Sequence, residues 1–137
     1  MPLSVRRAKY YYAIVDDQPG KGVGLLGKLR VEGISLLAFT TFPIGNGKAQ
    51  LDFFSDNPDR LKRALEEEGV RLEGPKKAFL IQGEDTVGAL VEHHVHLAQA
   101  GINVYAANGA SDGKGRFGYV LWVKPDDFEK AAEILGC

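Results

Sequence analysis

Two glycine-rich turns, each opening on an aspartate, are where this 137-residue chain is best equipped to hold a small charged molecule. The first reads Asp17-Gln18-Pro19-Gly20-Lys21-Gly22 and the second Asp85-Thr86-Val87-Gly88. Glycine lets the backbone approach a ligand closely, and the free amides that open a following helix suit a carboxylate. Asp17 or Asp85 could then take an ammonium group. The same residues also read as plain turn chemistry, because Asp is common at helix starts and Gly in turns.

Other chemistries fit less well. Gly22, Gly24 and Gly27 match part of a dinucleotide fingerprint, but several residues separate the strand end from Gly22, and the next strand ends Thr40-Thr41-Phe42 with no acidic ribose ligand. Gly22 with Gly27-Lys28 matches part of a P-loop, yet Leu29 stands where a hydroxyl must hold magnesium. Gly113 to Gly118 leads into a strand and has no helix dipole behind it. His93 and His96 share a helix face as two zinc ligands do, while His94 falls on a stripe with Leu90, Val91 and Leu97. No Cys or carboxylate completes that set locally, so the reading is one partly buried and two surface histidines, with no metal. No nucleophile has its base, so neither an enzyme nor a bound cofactor is expected.

Composition narrows the class. With 17 Lys plus Arg against 18 Asp plus Glu, the net charge of -1 gives no global attraction to nucleic acid or anionic membranes. The one cysteine, Cys137, has no partner in the chain, and no apolar run reaches the roughly 18 residues of a membrane span. A cytoplasmic protein is expected.

The elements that must position the two turns repeat. Asp17, Gly20, Gly33 and Ile34 recur as Asp85, Gly88, Gly101 and Ile102, and Pro58, Leu61, Ala64 and Gly69 recur as Pro125, Phe128, Ala131 and Gly136. In the first copy, 10–15 reads as a strand. A helix follows from Val23 to a Gly33 cap, with Val23, Leu26 and Leu29 on one face. An extended 34–42 then turns at Asn46-Gly47 into 50–55, a helix starts at Asn57-Pro58, and 70–72 forms a short last strand. The second copy repeats this order over 78–82, 87–100, 103–107, 117–123 and 126–135. Strand, helix, strand, strand, helix, strand is the split βαβ or ferredoxin-like unit. The expectation is an α+β protein of two tandem βαββαβ units, 9–73 and 76–137, with antiparallel sheets and helices on one face. The second unit lacks its own last strand, and residues 3–5 either fill that edge or form a frayed tail. Strands 35–42 and 117–123 are apolar on both sides, so the other copy or another subunit must cover the far face, and a homodimer is expected.

At Asp17-Gln18-Pro19-Gly20 with Gly33-Ile34, and again at Asp85-Thr86-Val87-Gly88-Ala89-Leu90 with Gly101-Ile102-Asn103-Val104, the sequence resembles the ACT domain family of regulatory amino-acid-binding modules. The resemblance spans about 9–137. It implies a ferredoxin-like fold, side-by-side sheets and a free amino acid held where the first loop of one module meets another module. The candidate ligand residues are then Asp17, Gln18, Pro19, Gly20, Lys21, Gly22, Asp85, Thr86, Val87, Gly88 and Asn103. The copies depart from the family pattern differently: the first has Gly22 where Leu is usual, and the second has Val87 in place of Pro. With no catalytic domain attached, the resemblance implies a sensor or a regulatory subunit for a partner enzyme of amino-acid metabolism. The alternative is a structural dimerisation module that binds no metabolite.

Overall fold

The computed structural model describes residues 3–137. In chain order its elements are β1 (Ser4–Asp16), α1 (Val23–Glu32), β2 (Ala38–Gly45), β3 (Lys48–Phe54), α2 (Pro58–Glu66), β4 (Glu73–Glu84), α3 (Val91–Gln99), β5 (Val104–Ser111), β6 (Arg116–Val123), a 3-10 turn (Pro125–Asp127) and α4 (Phe128–Leu135). Hydrogen-bonded strands run in the order β2-β3-β1-β4-β6-β5. The hairpin partners β2 and β3, and β5 and β6, are antiparallel, as are β1 with β3 and β4 with β6. The protein is α+β, with two tandem ferredoxin-like units whose helices lie on one sheet face. No helix among the described residues is long and apolar enough to cross a membrane.

Lys9–Lys76 forms one compact unit, and Lys77–Cys137 with the stretch through Ala8 forms the other. In the Lys9–Lys76 unit, Tyr11 and Ala13 of β1 stand beside Phe53 and Leu51 of β3 and pack with Leu25 and Leu29 of α1 and Leu61 and Leu65 of α2. Full burial of each large apolar side chain contributes about 1.5–3 kcal/mol, which fixes the strand register. In the second unit Phe79, Leu121 and Val123 meet Leu97 of α3 and Phe128, Ala131 and Leu135 of α4, and the Phe79 and Phe128 rings stack at 4.5 Å. Val5 of β1 packs on this second core, and Leu3 lies so close to Gly83 that a Cβ there would sit 2.5 Å from its Cδ2. Arg7 donates to Glu129 at 2.9 Å and to the Cys137 carbonyl at 3.2 Å.

Local signals act as the sequence leads one to expect. Asn46 and Gly47 both take positive φ in the first hairpin, and the Asn57 side chain accepts from the Arg60 amide at the start of α2. Gly33 and Gly136 close α1 and α4 in the left-handed region. Four expectations need correcting. Leu25 and Leu29, one helical turn apart, form the buried face of α1, while Val23 and Leu26 are exposed. The strand expected at 70–72 begins instead at Glu73, while Leu72 and Val70 pack on the core from a non-strand segment. The strand expected at 34–42 starts at Ala38, with Ile34 and Leu36 spent on the core before it. Helix α3 starts at Val91 rather than Val87, because the residues between them form a turn.

Away from the helices, Tyr10, Asp52 and Phe54 are buried in the first unit, and Ala78, Leu80, Val120 and Trp122 in the second, while Ile14 and Phe42 are exposed.

Candidate ligand cleft in the second copy

The two glycine turns have the same backbone frame, bond for bond. In the first copy the Asp17 amide donates to the Gly47 carbonyl of the facing hairpin at 2.8 Å, and in the second the Asp85 amide donates to Gly115 at 2.9 Å. Lys21 donates to Gln18 and Val23 to Gly20; correspondingly, Ala89 donates to Thr86 and Val91 to Gly88, both at 3.1 Å. Gly20 and Gly88 both hold positive φ, at 83° and 73°. A side chain there is strained, which explains glycine at both turns. The amides of Asp85, Thr86, Ala89 and Val91 are thus engaged in the turn. Among the described residues Gly88 and Leu90 have no backbone acceptor for theirs.

Neither turn uses its aspartate as a cap. The residues that open α1 and α3, Gly22 and Leu90, make no side-chain capping bond, in contrast to Asn57 at α2. Both helix starts keep the partial positive charge of their unsatisfied amides. Glu92, in the first turn of α3, is exposed and is not part of the cleft wall described next.

In the second copy the frame borders an open cleft of about 450 Å³. Asp85, Thr86 and the backbone from Gly88 to Val91 form one wall. The end of β5, Gly109 to Ser111, and the β6 side chains Phe117 and Tyr119 form the other. Strand register sets this up: Gly109 lies opposite Tyr119, and Ser111 opposite Phe117. The Tyr119 hydroxyl lies 2.8 Å from His94 Nε2, and either partner donates according to the histidine tautomer. Burial pushes the tyrosine above its ordinary range, so it remains a neutral hydroxyl at physiological pH. The hairpin behind this wall is held by Asp112, whose carboxylate accepts from the amides of Lys114 at 2.6 Å and Arg116 at 3.1 Å. Those bonds hold its pKa below the usual carboxylate value.

The first copy places different side chains on the same frame. Thr41, Phe42 and Pro43 of β2 occupy the positions that Gly109, Ala110 and Ser111 hold in β5, as their pairing with Leu51, Gln50 and Ala49 shows. Leu51 stands in place of Tyr119, is buried, and reaches to 3.2 Å from where a Cβ of Gly22 would be. Asp16, beside Asp17, is paired with Lys48 at 2.6 Å, and that lysine holds its carboxyl below the usual range.

Of the sequence-derived candidates, Asp85, Thr86 and Gly88 come together on the cleft, with Val87 in the same turn and fully exposed. Asp17, Gln18, Pro19, Gly20, Lys21 and Gly22 form the matching turn of the first copy. Asn103 is not gathered with either: it precedes β5, whose opposite end, at Gly109 to Ser111, lines the cleft. Sequence reasoning did not find Gly109, Ala110, Ser111, Phe117 or Tyr119. A signal for them existed, since the repeat aligns Thr41-Phe42-Pro43 with Gly109-Ala110-Ser111. His94 contributes to the site through Tyr119. Among the described residues no group of three His, Cys, Asp or Glu is arranged to hold a metal ion.

No family model and no curated protein matches the sequence. Solved structures do match the fold. A protein from Bacteroides thetaiotaomicron superposes with a TM-score of 0.81 at 17% identity, over 96% of this chain and 88% of that one. The regulatory subunit of aspartate kinase from Thermus thermophilus gives 0.66 at 18% identity, over 98% and 94%. Aspartokinase III from E. coli, crystallised with lysine and aspartate, gives 0.53 at 16% identity, over 99% of this chain and 32% of that enzyme.

Proposed function

We propose that this protein is a non-catalytic regulatory module that binds a free amino acid and conveys its presence to a partner enzyme of amino-acid metabolism in the cytoplasm. The observation that carries the reading is the second-copy cleft, where a carboxylate, an uncapped helix start and unspent turn amides converge on about 450 Å³ of space. That volume lies within the 300–1,000 Å³ typical of small-molecule sites. A zwitterion matches the charges: its ammonium meets Asp85, and its carboxylate meets the amides of Gly88 and Leu90. On this reading the units are two ACT-like repeats, with the strand stretch through Ala8 completing the second. The fold shared with an aspartate kinase regulatory subunit, and with an aspartokinase crystallised with lysine and aspartate, supports the same role.

A homodimer belongs to the proposal. Its surface is the pair of strands that end the hydrogen-bonded order, β2 with exposed Phe42 and Ile44 and β5 with exposed Tyr105. Light scattering at high micromolar concentration should report twice the 14.9 kDa chain mass. A monodisperse monomer would remove this part. A thermal-shift screen against the amino acids tests the central claim. Dissociation constants of roughly micromolar to millimolar, about 8 to 4 kcal/mol, are expected. If no amino acid raises the melting temperature, the structural-module reading replaces the sensor.

A further inference from the structure

We propose that the second-copy cleft selects amino acids with an uncharged apolar side chain, branched or aromatic, and rejects acidic and basic ones. The inference rests on the amino-acid reading above and assigns the class of ligand. Among the described residues Asp85 is the only charged side chain lining the cleft, and the ligand ammonium uses it. The turn amides serve the α-carboxylate. Nothing else in the lining would neutralise a second charge, whereas its rings and aliphatic side chains offer apolar contact. Arg116, the nearest basic residue along the chain, lines a neighbouring hollow with Gln82 and Asp112, and its charge acts on Asp112.

Two hydroxyls of the wall are also engaged. The Tyr119 hydroxyl is bonded to His94, and Ser111 Oγ accepts from the Gly113 amide at 3.0 Å. A ligand side chain rich in hydrogen-bonding groups would lose water and find few partners. What the wall does offer is apolar: Leu90 and Val91 on one side, the Phe117 and Tyr119 rings on the other. Gly109 and Ala110 leave the space between open. Aromatic rings reward apolar and aromatic contacts, and a methylene in such a pocket changes affinity about 10–200-fold.

The test is calorimetry on the full chain with leucine, isoleucine, phenylalanine, aspartate and lysine. Aromatic proton NMR then follows Phe117 and Tyr119. The expected result is that at least one apolar amino acid binds about tenfold or more tightly than aspartate and lysine, and shifts the Phe117 and Tyr119 resonances. Tightest binding by aspartate or lysine would overturn the class assignment while leaving an amino-acid sensor intact. Binding of an apolar amino acid that leaves both rings unmoved would overturn the location. Failure of all five to bind at millimolar concentration would overturn both this inference and the reading it rests on. Gly109→Val gives a second readout, because its Cβ would stand 2.7 Å from Tyr119 Cδ1 and narrow the space. Phenylalanine should lose affinity in that variant by a larger factor than alanine or glycine does. Equal losses for large and small side chains would show that the wall does not select.

Discussion

The two glycine turns share every backbone bond that shapes them, yet only the second faces a wall of small and aromatic residues. Gly109-Ala110-Ser111 and Tyr119 stand where the first copy has Thr41-Phe42-Pro43 and Leu51. Gly88 and Gly20 alone therefore do not distinguish a site from a structural turn. The strand across from the turn is where the copies differ, while the backbone bonds of the turns are kept.

The comparison breaks most severely if one unit is deprived of its strand. Deleting residues 1–8 removes Val5 from the second core and the Arg7 bonds to Glu129 and Cys137. We expect a loss of about 3 kcal/mol or more, with amide exchange accelerated in residues 77–137 ahead of residues 9–76. Equal acceleration in both would mean that the units do not depend differently on this segment. Next in size, Gly88→Val and Gly20→Val should cost similar stability, about 1–3 kcal/mol each for a side chain at positive φ. Affinity should fall tenfold or more only for Gly88→Val. Calorimetry showing the reverse would assign the working site to the first copy.

Smaller changes exchange single features between copies. Gly109→Thr installs the residue of the first copy, and its Cβ would stand 3.2 Å from the Gly118 carbonyl as well as against Tyr119. Urea unfolding should show a loss of about 1–3 kcal/mol from overpacking, together with weakened ligand binding. His94→Leu copies Leu26 and removes the partner of the Tyr119 hydroxyl, at a cost of about 1 kcal/mol. The smallest effect concerns Asp52, a buried carboxyl of β3 whose counterpart in the second copy is Val120. Burial pushes its pKa up, against the Gln50 hydrogen bond at 2.8 Å and the charge of Lys76. Its ionisation therefore costs stability, a penalty absent below the unfolded value near 3.9. The penalty grows as pH rises through the higher folded value. Asp52→Asn should melt a few degrees higher than the parent at pH 7, with the gain vanishing in acid. A gain that persists at low pH would refute that cause.

Features decided by neighbouring residues were legible in the sequence. The Asn46-Gly47 turn, the Asn57 cap and the glycine ends of the helices each depend on a few adjacent positions. The repeat itself was legible for the same reason, because the glycines that recur are those the backbone cannot replace. Features decided at a distance were not. Which leucines of α1 face inward depends on what the sheet presents, and Val70 looked like strand from propensity although it packs as a loop. The cleft wall was least accessible of all, since Phe117 and Tyr119 meet the Asp85 turn only through the register of β5 and β6. Asn103, which the motif resemblance includes, precedes β5 at the end away from the cleft, because adjacency in a motif does not carry over to adjacency in space.

Strand β1 has a temporal consequence. Its early residues leave the ribosome well before their partners: Arg7 waits for Glu129 and Cys137, more than 120 positions later. Residues 9–76 form a compact unit of their own and can mature during synthesis. The unit that carries the cleft closes only once Glu129 and Cys137 have emerged. Pairings of such long sequence separation are slow to form, so this unit should close after residues 9–76 have folded, and the cleft with it.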